Sequence, residues 1–136
     1  MASDLSAFFG NKIVRWLNGI AMPTAPTDLY IALFNGNPKT SGVEVGGTIN
    51  SGSPRQIVTF ADVASGAAHL LTSDIAVDFG NAEAAATFSY IALMDDDTGG
   101  NLLASKATAG GAVDVIINSL VKFGSGGITF NVGSDA

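Results

Sequence analysis

Two apolar runs set the pattern of the chain. The first is Asp28-Leu-Tyr-Ile-Ala-Leu-Phe-Asn-Gly36, and the second is Phe88-Ser-Tyr-Ile-Ala-Leu-Met-Asp-Asp96. Each contains Tyr-Ile-Ala-Leu followed by a large apolar residue, and each runs into Asn or Asp turn formers. Aromatic and β-branched runs bounded in this way predict buried strands that end at turns. Both are expected at the centre of an all-β domain. The echo has two readings, an old duplication or two strands meeting the same core demand. A single echo does not define a repeat architecture.

Ahead of the first run, Leu5, Phe8, Phe9, Ile13, Trp16, Leu17 and Ile20 recur at three- and four-residue steps. Ser6, Asn11, Arg15 and Asn18 fall off that stripe. The spacing predicts an amphipathic helix over 3–19. Ser3 and Asp4 read as its N-terminal caps and Gly19 as its stop, and Pro23 and Pro26 forbid continuation. Gly10 in mid-helix costs about 1 kcal/mol relative to Ala, which points to a close approach by another backbone. The apolar stripe either covers the open end of its own sheets or docks on another subunit. Two Phe and a Trp are a heavy apolar load for a terminal helix.

Beyond the first strand, Asn35-Gly36-Asn37-Pro38 marks a turn. Thr40 to Pro54 holds Gly42, Gly46, Gly47 and Gly52, and reads as a long loop or arm that could order against a neighbour. Arg55 to Phe60 alternates as a strand. Ala68 to Phe79 holds one or two more, with a kink near Ser73-Asp74. Gly80 to Ala86 is a link, either a short turn or half a helix. Asp95 to Gly100 is a tight turn with Asn101 to Lys106 as its hairpin return. Val113 to Phe123 reads as one long strand, turned by Gly124-Ser-Gly-Gly127 into Ile128 to Val132. The sum is a single domain over 1–136. It is mainly β, an antiparallel sandwich or jelly-roll-like barrel of about seven or eight short strands over 28–132, with one N-terminal helix.

Composition narrows the role. Hydrophobic residues make up 47% of the chain and charged residues only 13%. That excludes a disordered tail, and it suggests that neighbours cover much of the surface. The net charge of -6 argues against direct nucleic-acid binding, which needs a basic footprint. Cysteine is absent, so there is no disulfide and no thiolate zinc site. No apolar run approaches the roughly 20 residues of a membrane span, and no membrane partner is expected. Met1-Ala-Ser-Asp-Leu-Ser6 lacks the basic start of a signal peptide, so synthesis and retention in a cytoplasm, or exit only by lysis, is the expectation.

Catalysis is not expected. The single histidine, His69, lies in a strand-like segment and reads as structural. There is no G-x-S-x-G elbow, no phosphate loop and no H-E-x-x-H, and no cofactor is expected. Asp95, Asp96 and Asp97 are the one candidate metal site. Three adjacent carboxylates repel, and a hard cation such as calcium would relieve that. The alternating ligands and closing Glu of an EF-hand are absent, so a solvated turn is the preferred reading.

With these pieces in place, the chain resembles a family of small tailed-phage virion proteins. Many members carry the label phage tail fibre protein, and similar folds serve as head decoration or cement proteins. The resemblance rests on Asn11-Lys12, Trp16-Leu17 and Gly19, then Pro23, Pro26, Leu29 to Phe34 and Pro38. It continues through Arg55, Val58-Thr59-Phe60, Tyr90 to Asp95, Thr98 to Leu103 and Leu120 to Val132. Leu93 stands where the family has Gly, and Asp96 and Asp97 replace small turn residues. The resemblance carries no catalytic residue. It implies a structural role in a phage particle, with trimers as the unit.

The first functional expectation is a capsid cement protein on the head surface, bridging major capsid subunits by multivalent contact. Alternatives are a tail fibre or tail-tip subunit, and a carbohydrate-binding host-recognition module. The expected partners are the chain itself, as a homotrimer, and the major capsid protein. Candidate assembly residues are Leu5, Phe8, Phe9, Ile13, Trp16 and Leu17 in the helix, with Thr40, Val43, Val45, Thr48 and Ile49 in the arm.

Overall fold

A computed structural model of the chain describes residues 4–62 and 70–132. Among them the order is α1 (Ala7–Leu17), β1 (Leu29–Asn35), β2 (Val43–Glu44), the helical turn α2 (Gly46–Ile49), β3 (Gln56–Val58) and β4 (Leu70–Thr72). Then come β5 (Val77–Asn81), β6 (Ala86–Phe88), β7 (Tyr90–Met94), β8 (Leu102–Ala107), β9 (Val113–Val115), β10 (Leu120–Phe123) and β11 (Thr129–Asn131). The fold is mainly β and antiparallel, as the sequence pattern predicts. Eleven strands replace the expected seven or eight because several long runs break into pieces of two or three residues.

The two echoing runs pair with each other. β1 and β7 lie antiparallel with Tyr30 opposite Met94, Ala32 opposite Ala92 and Phe34 opposite Tyr90. The shared Tyr-Ile-Ala-Leu segments are thus related by a local two-fold through the Ala32–Ala92 pair. Ile31, Leu33, Ile91 and Leu93 point into the main core with Phe79, Phe130 and Ile49. Ala32, Ala92 and Met94 are buried on the opposite face, under Tyr30, Phe34 and Leu102. Burial on both faces is why these strands read as continuous apolar runs and not as alternating ones.

β8 flanks β7 on its far side, and β2 and β3 share the far edge of β1 end to end. β6 pairs β9, so β6–β7 and β8–β9 form one long hairpin, interrupted by an excursion at residues 108–112. β5 pairs β10 and β4 pairs β11. The N-terminal segment lies along β8, with Ser6 N–H donating to Leu103 O at 2.8 Å and Ser105 N–H to Asp4 O at 2.9 Å. Asp4 also reaches β11, donating its N–H to Asn131 O at 2.8 Å and accepting from Asn131 N–H on its carboxylate at 2.6 Å. A bridge between Phe60 and Ser73 joins the end of β3 to β4. These are single stitches between short sheets, and the described strands do not form a closed barrel.

Three local expectations are corrected. The helix cap is Ser6, whose hydroxyl accepts from Phe9 N–H at 3.2 Å and donates to Leu102 O; Asp4 is spent on the strands, and Ser3 lies outside the described residues. The run from Val113 to Phe123 is two strands. Asn118 takes a left-handed conformation, φ 69°, and turns the chain at residues 116–119. The Gly-rich segment from Thr40 to Pro54 is no arm. It folds back through β2 and α2, and Ile49 is fully buried. Two of its glycines serve close packing: a Cβ on Gly46 would meet Pro54 O at 2.0 Å, and one on Gly42 would meet Gly36 O at 2.4 Å. The link after Gly80 forms no helix, and Glu83 there accepts from Ser51 N–H and hydroxyl at 3.0 and 2.7 Å. Gly19 does stop the helix at φ 85°. Its N–H donates to Trp16 O and that of Ile20 to Arg15 O, both at 3.0 Å, the paired bonds of a Schellman end.

Candidate functional site

The acidic turn between β7 and β8 is held from below by Arg55. This guanidinium is nearly sealed, with 7% of its side chain exposed. Nε and Nη2 donate to the two carboxylate oxygens of Glu44 at 2.9 Å each. Nη1 donates to Asp96 O at 2.8 Å and Gly99 O at 2.9 Å. One side chain therefore ties β2, the start of β3 and the 95–101 turn together. The hydrogen-bonded Glu44 carboxylate raises the Arg55 pKa further, against burial, which lowers it. A bidentate fork of this kind suits Arg and no other cation.

The three aspartates are occupied by the turn they build. Asp95 accepts from Asn101 N–H at 2.6 Å and from its side-chain amide at 3.0 Å. Asp96 accepts from Asp97 N–H at 2.8 Å, and Asp97 from the Thr98 hydroxyl at 3.0 Å. The Thr98 hydroxyl, then the Asp96 side chain, hold the Asp97 carboxyl below its ordinary value. Across the sheet, burial and then the charges of Asp28, Asp97 and Asp96 push the Tyr30 phenol up. Among the described residues no cluster of three His, Cys, Asp or Glu side chains is placed to hold a metal ion. His69 lies outside the described residues.

The helix is dressed quite differently. Leu5 and Phe9 pack against the core, yet no residue of α1 is fully buried. Val14, Trp16 and Leu17 are 56%, 57% and 71% exposed, and Ile20 and Met22 continue the apolar surface into the connector. Lys12 Nζ stands 5.1 Å from the centre of the Phe8 ring. An open apolar cleft of about 440 Å³ remains between the helix and the sheets, lined by Phe9, Ile13, Pro26, Leu71 and Leu103 among others. A second cleft of about 310 Å³ adjoins it at Phe9, Pro26 and Leu103, with Phe8, Lys12 and Met22 on its walls. A Cβ on Gly10 would meet nothing within 4 Å, so the close approach expected there is not made within the chain.

The predicted assembly residues accordingly divide. Phe8, Trp16, Leu17, Thr40, Val43 and Thr48 are at the surface, and Ile13 is half-buried beside the cleft. Leu5, Phe9 and Val45 pack partly on the core, and Ile49 is wholly inside it and is withdrawn from the set. Sequence reading missed Arg55 as a hub. Its signal was a lone cation beside Pro54 in a chain with few charges.

A family model for the Podophage GP4 fiber I protein gp80 matches residues 4–131. The chain belongs to that family. It is a phage structural protein and a component of the virion. A search of curated proteins finds no match. Among the described residues no helix is long and apolar enough to cross a membrane.

Proposed function

We propose that this chain is a non-catalytic subunit of a phage tail fibre, built to associate with copies of itself through the face of α1. The observation that carries the reading is the exposure of Trp16 and Leu17, which continue the side of the helix that bears Phe9 and Ile13, while among the described residues Leu5 and Phe9 supply the core contacts at its N-terminal end. Exposed apolar patches of this kind mark interaction surfaces, and aromatic anchors dominate their energetics. The family match supports a fibre address. A head-cement role would draw on the same helix, bridging major capsid subunits in place of fibre neighbours.

Changing Phe8 and Trp16 together to Ser tests the reading. The wild-type chain sediments as an oligomer, with a trimer as the expected unit. The double variant stays folded by circular dichroism and sediments as a monomer. An unfolded double variant, or a wild-type chain that is monomeric at every concentration, sinks the proposal. Gold-labelled antibody on intact virions then separates tail from head.

A further inference from the structure

A second apolar surface lies at the far end of the long hairpin. Ile116, Ile117 and Leu120 are 69%, 59% and 62% exposed. They sit on and beside a turn that is pinned in place. Asn118 N–H donates to Ala82 O at 2.8 Å, Ala82 N–H to Ser119 O at 2.7 Å, and Ser119 N–H to Ile116 O at 3.1 Å. The two isoleucines are therefore presented by a preorganised tip, and docking them costs little ordering entropy.

The cleft beside α1 is the concave counterpart. Its apolar walls include Phe8, Phe9, Met22, Pro26 and Leu103. One charge on the cleft wall is open to a partner. Lys12 and Asp95 both line it, but Asp95 already accepts from the Asn101 N–H and side-chain amide, and among the described residues the one ion pair is Arg55–Glu44, so the ammonium is the charge left to pair. The tip carries Asp114 and no cation between residues 113 and 120. The two features also stand at opposite ends of one element. The cleft reaches Asp95 and Asn101 at the turn of the hairpin, whereas the tip follows Val115, which pairs Ala86 at the other end. At about 3.3 Å per residue the run from Met94 back to Ala86 spans roughly 26 Å, so a tip does not reach its own cleft.

We infer that the Ile116–Ile117 tip of one copy seats in the α1 cleft of the next, a head-to-tail contact between identical chains. This rests on the assembly reading above and specifies its geometry. A heterologous contact propagates as a filament unless its rotation closes a ring, and the expected trimer is the closed case.

The chain has no cysteine, so introduced thiols report without background. Ile117→Cys and Met22→Cys variants, both at exposed positions, are purified separately, mixed and oxidised. The mixture gives a covalent dimer that neither variant gives alone, and a chain carrying both substitutions gives a ladder of multimers. Lys12→Glu in the Met22→Cys partner lowers the mixed product severalfold, and Asp114→Lys in the other partner restores it. Loss without restoration overturns the charge pairing. Equal self-linking of each variant overturns the head-to-tail geometry in favour of a two-fold contact. An oligomer by sedimentation that gives no mixed product overturns the tip-to-cleft contact and leaves the assembly reading standing. A monomer at every concentration overturns both.

Discussion

The Arg55 hub and the α1 face lie on the same chain and are finished to opposite degrees. Under the acidic turn every donor of consequence has an acceptor: four hydrogen bonds leave one guanidinium, and each aspartate closes a bond within its own turn. Along α1 the backbone ends are capped, but Val14, Trp16 and Leu17 face water. The contrast separates what holds the fold from what remains for a neighbour. A polar network sealed inside one chain stabilises that chain. An apolar face left open contributes almost nothing until something covers it.

The largest expected effect follows from breaking the hub. Arg55→Ala strands the Glu44 carboxylate and leaves two carbonyls without their donor. Breaking a buried pair costs about 3–5 kcal/mol, and the partial exposure of Glu44 places this case near 3. The urea midpoint of the variant falls accordingly, with the slope unchanged. Arg55→Lys recovers only part of the loss, because an ammonium cannot span both carboxylate oxygens and the turn. A loss within experimental error would mean that the network is ornament.

The hub also shows where sequence reading stops. Strand identity, the hairpin around residues 95–100 and the helix were legible, because apolar period and turn chemistry act locally. The pairing of the two Tyr-Ile-Ala-Leu runs was half legible: their equivalence was visible, their contact was not. The segment from Thr40 to Pro54 was misread. Its glycines resemble those of a mobile loop, and only the nearness of Gly36 and Pro54 reveals that Gly42 and Gly46 are there for lack of a Cβ. The break at residues 116–119 was hidden in the same way, since Val113 to Phe123 has strand composition throughout and one left-handed Asn divides it. Of the candidate assembly residues, Trp16 and Leu17 are exposed on the helix, whereas Ile49, a lone large apolar side chain in a polar stretch, is core.

A single kind of substitution sharpens the comparison by changing sign between the two regions. Gly46→Ala puts a methyl group 2.0 Å from Pro54 O, a backbone atom that cannot turn aside. Overpacking of this kind costs about 1–3 kcal/mol, and the thermal midpoint falls. Gly10→Ala puts its methyl into open space in the middle of a helix. It raises monomer stability by about 1 kcal/mol. If Gly10 instead receives a neighbouring backbone in the assembly, the same variant is more stable alone and weaker in association. Chemical unfolding and sedimentation measured on one sample separate those two effects.

The smallest effect lies at the rim of the acidic turn, and its sign is fixed by the direction of the shift. Hydrogen bonding to the Thr98 hydroxyl lowers the Asp97 pKa from 3.8 in the folded chain. The folded state therefore holds the ionised form more strongly than the unfolded state does. The contribution is present in full above 3.8, shrinks as pH falls from there through the lowered folded value, and is gone below it. Because this carboxylate is solvent-exposed, screening keeps the effect small. Asp97→Asn should flatten that part of the thermal-midpoint curve and leave the neutral-pH midpoint nearly unchanged. A large drop at neutral pH would mean that the turn depends on the Asp97 charge as well as on Arg55. The acidic loop would then share the burden that the buried guanidinium is held here to carry.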